Sequence, residues 1–330
     1  MKTFQISLYA LSAILLVGQS AFAADELPPP KLQTPEYLEM RKVLLESLDS
    51  EYHAPALRVW HRMIDFMSKS FTCESEKIQY KFGRNILRLD GNNGMQVEAE
   101  AKGNYLYLGG GGKIYLPGDA VLFRIADKHI VEVDLGLSST SCGCCFGTDY
   151  PEFDKELLED IAKFKKIQEI IIRNTKIDST GLAELKRIER IDLFSLYNVE
   201  LNKEAFLSLG QMNNTKTLSL GYFAVPGWHV NGFQFVPLFD ISHLDQLTPL
   251  QNLHALRVRA NLSTLRAFPR LESLEDLYLE VVEISDEALA QIKKLPNLKK
   301  VEINRVRYVP DNSGGTYPKK QIFYWEKPEN

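Results

Sequence analysis

The sequence predicts an α/β solenoid of about six to seven short repeats preceded by a small α+β unit, and three observations predict it. An apolar pattern of the form L-x-x-L-x-L recurs through the second half of the chain. It stands at Ile130-Val133-Leu135, Ile167-Ile170-Ile172, Ile188-Ile191-Leu193, Leu253-Leu256-Val258, Leu274-Leu277-Leu279 and Leu298-Val301-Ile303. A degenerate copy at Leu218-Leu220 carries Thr215 in its first slot. Segments 175–188 and 282–295 align without gaps at an offset of 107 residues, each a turn followed by a helical stretch with apolar residues three apart. Upstream of the repeats the apolar period switches from helical to two at about Glu76.

A strand followed by Thr175, Ile177, Gly181, Leu182, Leu185 and Ile188 resembles the bacterial leucine-rich-repeat family, whose units run about 20 to 29 residues. The resemblance covers residues 130–306, although the Asn expected at the ninth position of each unit is present only as Asn261. It implies stacked strand-turn-helix units that share one core, since a single unit cannot bury its own apolar face. It also implies a binding scaffold rather than an enzyme.

The rest of the chain divides around this array. Lys2, the apolar run Ile6 to Val17, and Ala21-Phe22-Ala23 before Asp25-Glu26 read as a secretory signal over residues 1–23, too short to span a membrane stably. The expected location is therefore periplasmic or secreted. Residues 24–35, with Pro28-Pro29-Pro30 and Pro35, form a linker. Residues 36–128 read as an α+β domain, two helices broken at Ala54-Pro55 and then a meander of about five strands. The repeats occupy 129–307. Residues 308–330 leave the pattern, and Gln321 to Trp325 reads as a strand capping the last repeat.

The formal net charge of −4 becomes about −5 once Lys2 is removed with the signal, and both signs are interspersed. That balance offers no basic footprint for nucleic acid and no polybasic patch for a membrane. No H-E-x-x-H, G-x-S-x-G or Asp-rich calcium loop occurs, and Gly109 to Gly112 lacks the Lys-Ser/Thr of a phosphate loop. No catalytic residue, cofactor or metal is assigned.

The starts of the repeats are spaced 37, 21, 27, 38, 21 and 24 residues apart, so two units carry insertions, near 136–150 and 221–240. Both follow a strand directly and so share one rim, the side on which repeat proteins often bind. The expected binding residues are the concave-face side chains Arg173, Arg190, Asp192, Phe194, Arg257, Arg259, Tyr278 and Glu280, with Tyr222, Trp228, His229 and Phe233 in the aromatic rim loop. Arginine and tyrosine in a mixed row suit a protein or peptide, and the aromatic loop also suits a stacked carbohydrate.

Cys142, Cys144 and Cys145 lie in the first insertion and Cys73 is the fourth cysteine. In an exported protein the default is disulfide formation, with Cys73 tied to one member of the cluster and a second bridge inside it. The alternative is a metal-binding, redox or hydrolytic protein that uses this loop, with His129 nearby, or the N-terminal domain. Thiol titration of the intact protein with metal analysis separates these. Two disulfides and no metal are expected, and free thiols with bound copper or zinc would overturn the disulfide reading.

Overall fold

Two residues separate the first and second apolar positions of every L-x-x-L-x-L copy, where strand alternation alone would leave one. A computed structural model, which describes residues 41–42, 44–46, 48–70, 79–83, 86–90, 96–102, 105–111, 120–126, 128–136, 152–222, 239–310 and 316–326, shows why. At the start of β9, β12 and β13 two successive N–H groups donate to one carbonyl just ahead of the preceding strand of the sheet. Asp192 and Leu193 share Gln168 O at 2.7 and 3.0 Å, Glu275 and Asp276 share His254 O at 2.8 and 3.0 Å, and Lys299 and Lys300 share Glu275 O at 2.7 and 3.0 Å. This bulge-like step turns both residues outward, and the next apolar side chain returns to the core.

Fourteen strands result among the described residues. They are β1 (Gln79–Gly83), β2 (Ile86–Asp90), β3 (Gln96–Lys102), β4 (Tyr105–Gly111), β5 (Ala120–Ala126), β6 (His129–Gly136), β7 (Glu152–Phe153), β8 (Glu169–Ile177), β9 (Ile191–Glu200), β10 (Thr215–Tyr222), β11 (Ala255–Leu265), β12 (Asp276–Ile284), β13 (Lys300–Pro310) and β14 (Thr316–Glu326). Apart from β7, which pairs β8, they lie side by side in chain order. β1 to β6 pair antiparallel, each with the next. From β6 through β13 each strand is parallel to the next, and β14 returns antiparallel along β13.

The expectation of a repeat solenoid behind a separate α+β unit is corrected by this topology. β6 pairs with β5 through Phe123↔Val133 and with β8 through Val133↔Ile170, so the meander and the parallel strands are hydrogen-bonded into a single α/β sheet that is open, neither closed nor curled. The apolar pattern specifies strands and their buried faces, but curvature comes from how thick the return segments are. Here they are slight: one helical turn at Ser179–Leu182, 3-10 stretches at Ala183–Arg187 and Ile241–Leu247, and short helices elsewhere. A layer that thin does not force strands about 4.8 Å apart to splay into an arc.

The frame of one copy is also corrected. Ile191, Phe194 and Leu196 are the buried set in β9, not Ile188, Ile191 and Leu193; Phe194 is fully buried and Leu193 half-exposed. The register agrees, with Thr215↔Ile191, Leu218↔Phe194 and Leu220↔Leu196. Both frames satisfy the pattern, and the one that buries a phenylalanine in place of a leucine removes more apolar surface from water. Phe194 is thus a core residue and leaves the predicted binding row. The copies starting at 167, 191 and 215 are then evenly spaced at 24 residues.

The helical side carries α1 (His53–Ser70), α2 (Lys155–Ile161), α3 (Ser179–Leu182), α4 (Lys203–Leu209) and α5 (Asp286–Lys293). Asp154, Asn202 and Ser285 cap α2, α4 and α5 by accepting from Leu157 N, Ala205 N and Ala288 N at 2.9, 2.8 and 3.1 Å. Pro55 sits in the first turn of α1, where its missing N–H costs nothing. Arg58 grips the buried Asp160 with two bonds of 2.8 and 2.7 Å, and Lys163 adds a third at 2.7 Å, which docks α1 on α2. Burial pushes the Asp160 carboxyl up, but these hydrogen bonds outweigh it and hold the group below the usual carboxylate range. Neighbouring units are also laced by asparagines just ahead of the strands. Asn214 donates to Leu185 O and Ile188 O, Asn252 to Asn213 O and Asn297 to Glu272 O, at 2.7 to 3.0 Å.

Gly210 ends α4 where the next return segment presses on it, and a Cβ there would lie 2.0 Å from the Gln246 carbonyl oxygen. Backbone cannot yield as a side-chain tip can. Gly210→Ala is expected to destabilise the protein by about 2–3 kcal/mol, read as a lowered midpoint in urea with an unchanged slope. A midpoint equal to wild type would show that these two return segments are not packed so closely.

Candidate functional site: the open face of the sheet

The residue after the last apolar position of each copy falls at the same height on the face that carries no helix among the described residues. The pairings Gly136↔Arg173, Arg173↔Tyr197, Gly221↔Tyr197, Gly221↔Arg259, Arg259↔Glu280 and Glu280↔Asn304 align them into one row from β6 to β13. The adjoining row runs through Asp134, Ile171, Ser195, Ser219, Arg257, Tyr278 and Glu302. Large hydrogen-bonding side chains therefore stand as one belt.

At the β6 end, Arg173 pairs with Asp134, whose side chain is only 4% exposed. Burial pushes the Asp134 carboxyl up to about 7; Arg173 opposes this and Glu132 adds to it. In the middle, Tyr197 leans over the bare backbone of β10. A Cβ on Gly221 would meet the Tyr197 ring at 3.3 Å and Arg259 Cβ at 3.5 Å, tight enough that the ring would have to shift. Burial lifts the Tyr197 phenol to about 12, with Glu280 acting the same way and Arg259 and Arg173 opposing. Asn198, at φ 51°, follows directly; asparagine tolerates this left-handed conformation better than most side chains.

At the β13 end, the Arg259 guanidinium lies 5.6 Å from the centre of the Tyr278 ring. Tyr278 donates to Glu280 Oε2 at 3.0 Å and accepts from Asn304 Nδ2 at 3.0 Å, and that amide also donates to Glu302 Oε1 at 3.1 Å. Burial raises the Tyr278 phenol despite the Asn304 bond. Two oxygens in the belt lack a hydrogen-bond partner among the described residues, Asp134 Oδ1 and Asn304 Oδ1, on side chains that are nearly fully buried. Such orphaned acceptors are uncommon in buried positions.

Of the residues predicted from sequence, Arg173, Arg259, Tyr278 and Glu280 come together here, and Arg257 stands exposed in the adjoining row. Glu280 is buried beneath its neighbours rather than facing solvent. Arg190 and Asp192 lie at the start of β9, paired to each other at 2.6 Å, with Lys216 at 3.8 Å from Asp192, a surface ion cluster apart from the belt. Tyr222 ends β10 beside Ala260. Trp228, His229 and Phe233, all four cysteines, the linker and the signal segment lie outside the described residues. Phe239, at the far end of the aromatic insertion, packs in the core with its ring 5.8 Å from that of Phe206.

Sequence reasoning missed Asp134, Tyr197, Gly221 and Asn304. The signal was available, because each except Asp134 occupies the slot that holds Arg173, Arg259 and Glu280 once the β9 copy is framed on Ile191. Chemically the belt can donate, accept and stack. Among the described residues no group of three His, Cys, Asp or Glu side chains is placed to hold a metal, and no helix is long and apolar enough to cross a membrane.

A carboxyl whose folded value lies above that of an unfolded aspartate contributes stability that is complete below about pH 4 and is lost as pH rises through about 7. Between pH 6 and 8 the wild type is expected to lose about 1 kcal/mol more than Asp134→Asn does, measured by urea unfolding at each pH. Parallel pH curves for the two proteins would show Asp134 ionised throughout. No protein-family model matches this chain and no curated protein matches it, so the geometry of the belt, rather than kinship, carries the functional reading.

Proposed function

We propose that this chain is an exported binding protein, not an enzyme, and that its open sheet face captures an extended peptide segment of a partner protein. The observation that carries this reading is the mixed belt, in which the exposed Arg257 and Arg259 stand beside the hydrogen-bonded Tyr278, Glu280 and Asn304. A peptide backbone offers N–H donors and C=O acceptors in alternation. The carbonyls answer the guanidinium groups of Arg257 and Arg259, both of which stand exposed. From β6 to β13 is six strand steps, roughly 29 Å at about 4.8 Å each, which about nine residues of extended chain would span.

Both long insertions support the same place for the ligand. The chain leaves β6 at Gly136 and β10 at Tyr222, beside the belt at the carboxyl ends of parallel strands. The export part of the proposal rests on Ala21-Phe22-Ala23 and the apolar run before it.

The test is selection of peptides from a random nine-residue library on the intact protein, followed by affinity measurements on variants. Arg259→Ala and Tyr278→Ala are expected to weaken the selected peptides by about ten- to a hundredfold. Arg190→Ala, which removes only a surface ion pair, should change affinity less than about threefold. Unchanged affinity in both belt variants, at unchanged melting temperature, would remove the belt as the binding surface.

A further inference from the structure

β14 closes one end of the sheet, and among the described residues it pairs only with β13. An edge strand of eleven residues presents a row of backbone donors and acceptors to whatever strand comes alongside. Natural edges are usually blunted, and the first half of this one is, by Pro318, Lys319 and Lys320. The second half is not. Ile322 is 63% exposed, Phe323 42% and Tyr324 54%, three of the four large apolar side chains that stand out from the described surface. Arg305 lies 4.9 Å from the Phe323 ring and Lys300 6.0 Å from the Tyr324 ring, so cations border this patch on the β13 side.

The order of residues along β14 says what covers the patch. Counting outward from Phe323, Ile322 and Tyr324 are one step away, Gln321 and Trp325 two, and Lys320 and Glu326 three. A strand with this arrangement is complementary to its own reverse. Antiparallel pairing of two copies centred on Phe323 sets each Ile322 opposite Tyr324, each Gln321 opposite Trp325 and each Lys320 opposite Glu326. Cross-strand apolar pairs and opposite charges directly facing one another are the favourable combinations. A slip that centres the pair on Lys320 sets lysine against lysine, so the charges select the register.

We infer that this protein forms a closed twofold dimer in which β14 of one copy adds antiparallel to β14 of a second, centred on Phe323. The pairing is isologous, so it uses up the edge and does not propagate into a filament. Its twofold axis stands perpendicular to the sheet, because only that axis maps a strand onto an antiparallel neighbour in the same plane. The helix-free faces of both copies then lie on the same side, and their two belts form one surface. The dimer does not depend on the peptide-binding reading, and a loss of either leaves the other measurable.

Sedimentation velocity of the intact protein across micromolar concentrations should show monomer and dimer in mass-action exchange. Lys320→Glu should weaken the dimer by at least about tenfold, because like charges then face each other twice. Lys320→Glu combined with Glu326→Lys should restore the wild-type constant to within about threefold, which a general loss of folding would not allow. Phe323→Lys, at the twofold axis, should leave monomer only, with an unchanged circular dichroism spectrum. A monomer at all concentrations, or a dimer indifferent to both the single and the double charge change, would overturn the proposal.

Discussion

The carbonyl shared by two N–H groups at the starts of β9, β12 and β13 is the constraint on which the register of this sheet depends. Two N–H groups at 2.7–3.0 Å from one oxygen turn two residues outward before alternation begins, as at Asp192-Leu193, Glu275-Asp276 and Lys299-Lys300. Every parallel strand from β8 to β13 then presents its second and third apolar positions to the core at the same height, as in Ile170-Ile172, Leu218-Leu220 and Leu277-Leu279. Because a slip of one residue would move a whole apolar set to solvent, this step fixes the register across the sheet. It also fixes the opposite face, since the side chain after the last core position of each strand must fall into one row.

The belt holds polar groups in a place where burial is expensive. Asp134 is mostly out of water, yet its single guanidinium partner does not offset the loss, and the carboxyl rises to about 7. Thr215 is the core-facing counterpart, a buried hydroxyl without a hydrogen-bond partner among the described residues, where other copies carry an apolar side chain. Thr215 interrupts packing and touches no belt residue in the register, so it reads as an imperfect copy. Asp134 and Asn304 instead sit at the two ends of the belt, on the same face of the sheet.

Much of this was legible in the sequence, and the parts that were not share a cause. The pattern located the meander, the parallel strands, the return segments at Leu158-Ile161 and Leu244-Leu247, and the closing strand at Gln321 to Trp325. It left the frame of β9 open because Ile188, Ile191, Leu193, Phe194 and Leu196 satisfy L-x-x-L-x-L twice, three residues apart. Packing against β8 and β10 resolves that choice, and Tyr197 joins the belt only afterwards. Curvature was not legible at all. A one-dimensional pattern records which side chains are buried, but the arc of a sheet depends on the bulk of what is packed behind it. The resemblance of the repeat units supplied a curled architecture that the slight return segments at 179–187 and 241–247 do not produce.

The belt's side chains are held before any ligand arrives. Arg173 is fixed by Asp134, Arg259 by the face of Tyr278, and Tyr278 by hydrogen bonds on both sides from Glu280 and Asn304. All of these stand on strands, not loops, and Gly221 leaves the space over β10 into which the Tyr197 ring leans. Freezing a long arginine or a tyrosine on binding costs roughly 0.5–1.5 kcal/mol per side chain. Where folding has already met that cost, little of the interaction energy is lost again to ordering. The same rigidity narrows what can bind. A fixed set of polar side chains on strands about 4.8 Å apart rewards a ligand with matching polar groups and penalises one that leaves a buried polar group unanswered. Selectivity on this face therefore comes from the spacing of the strands as much as from the identity of any one side chain.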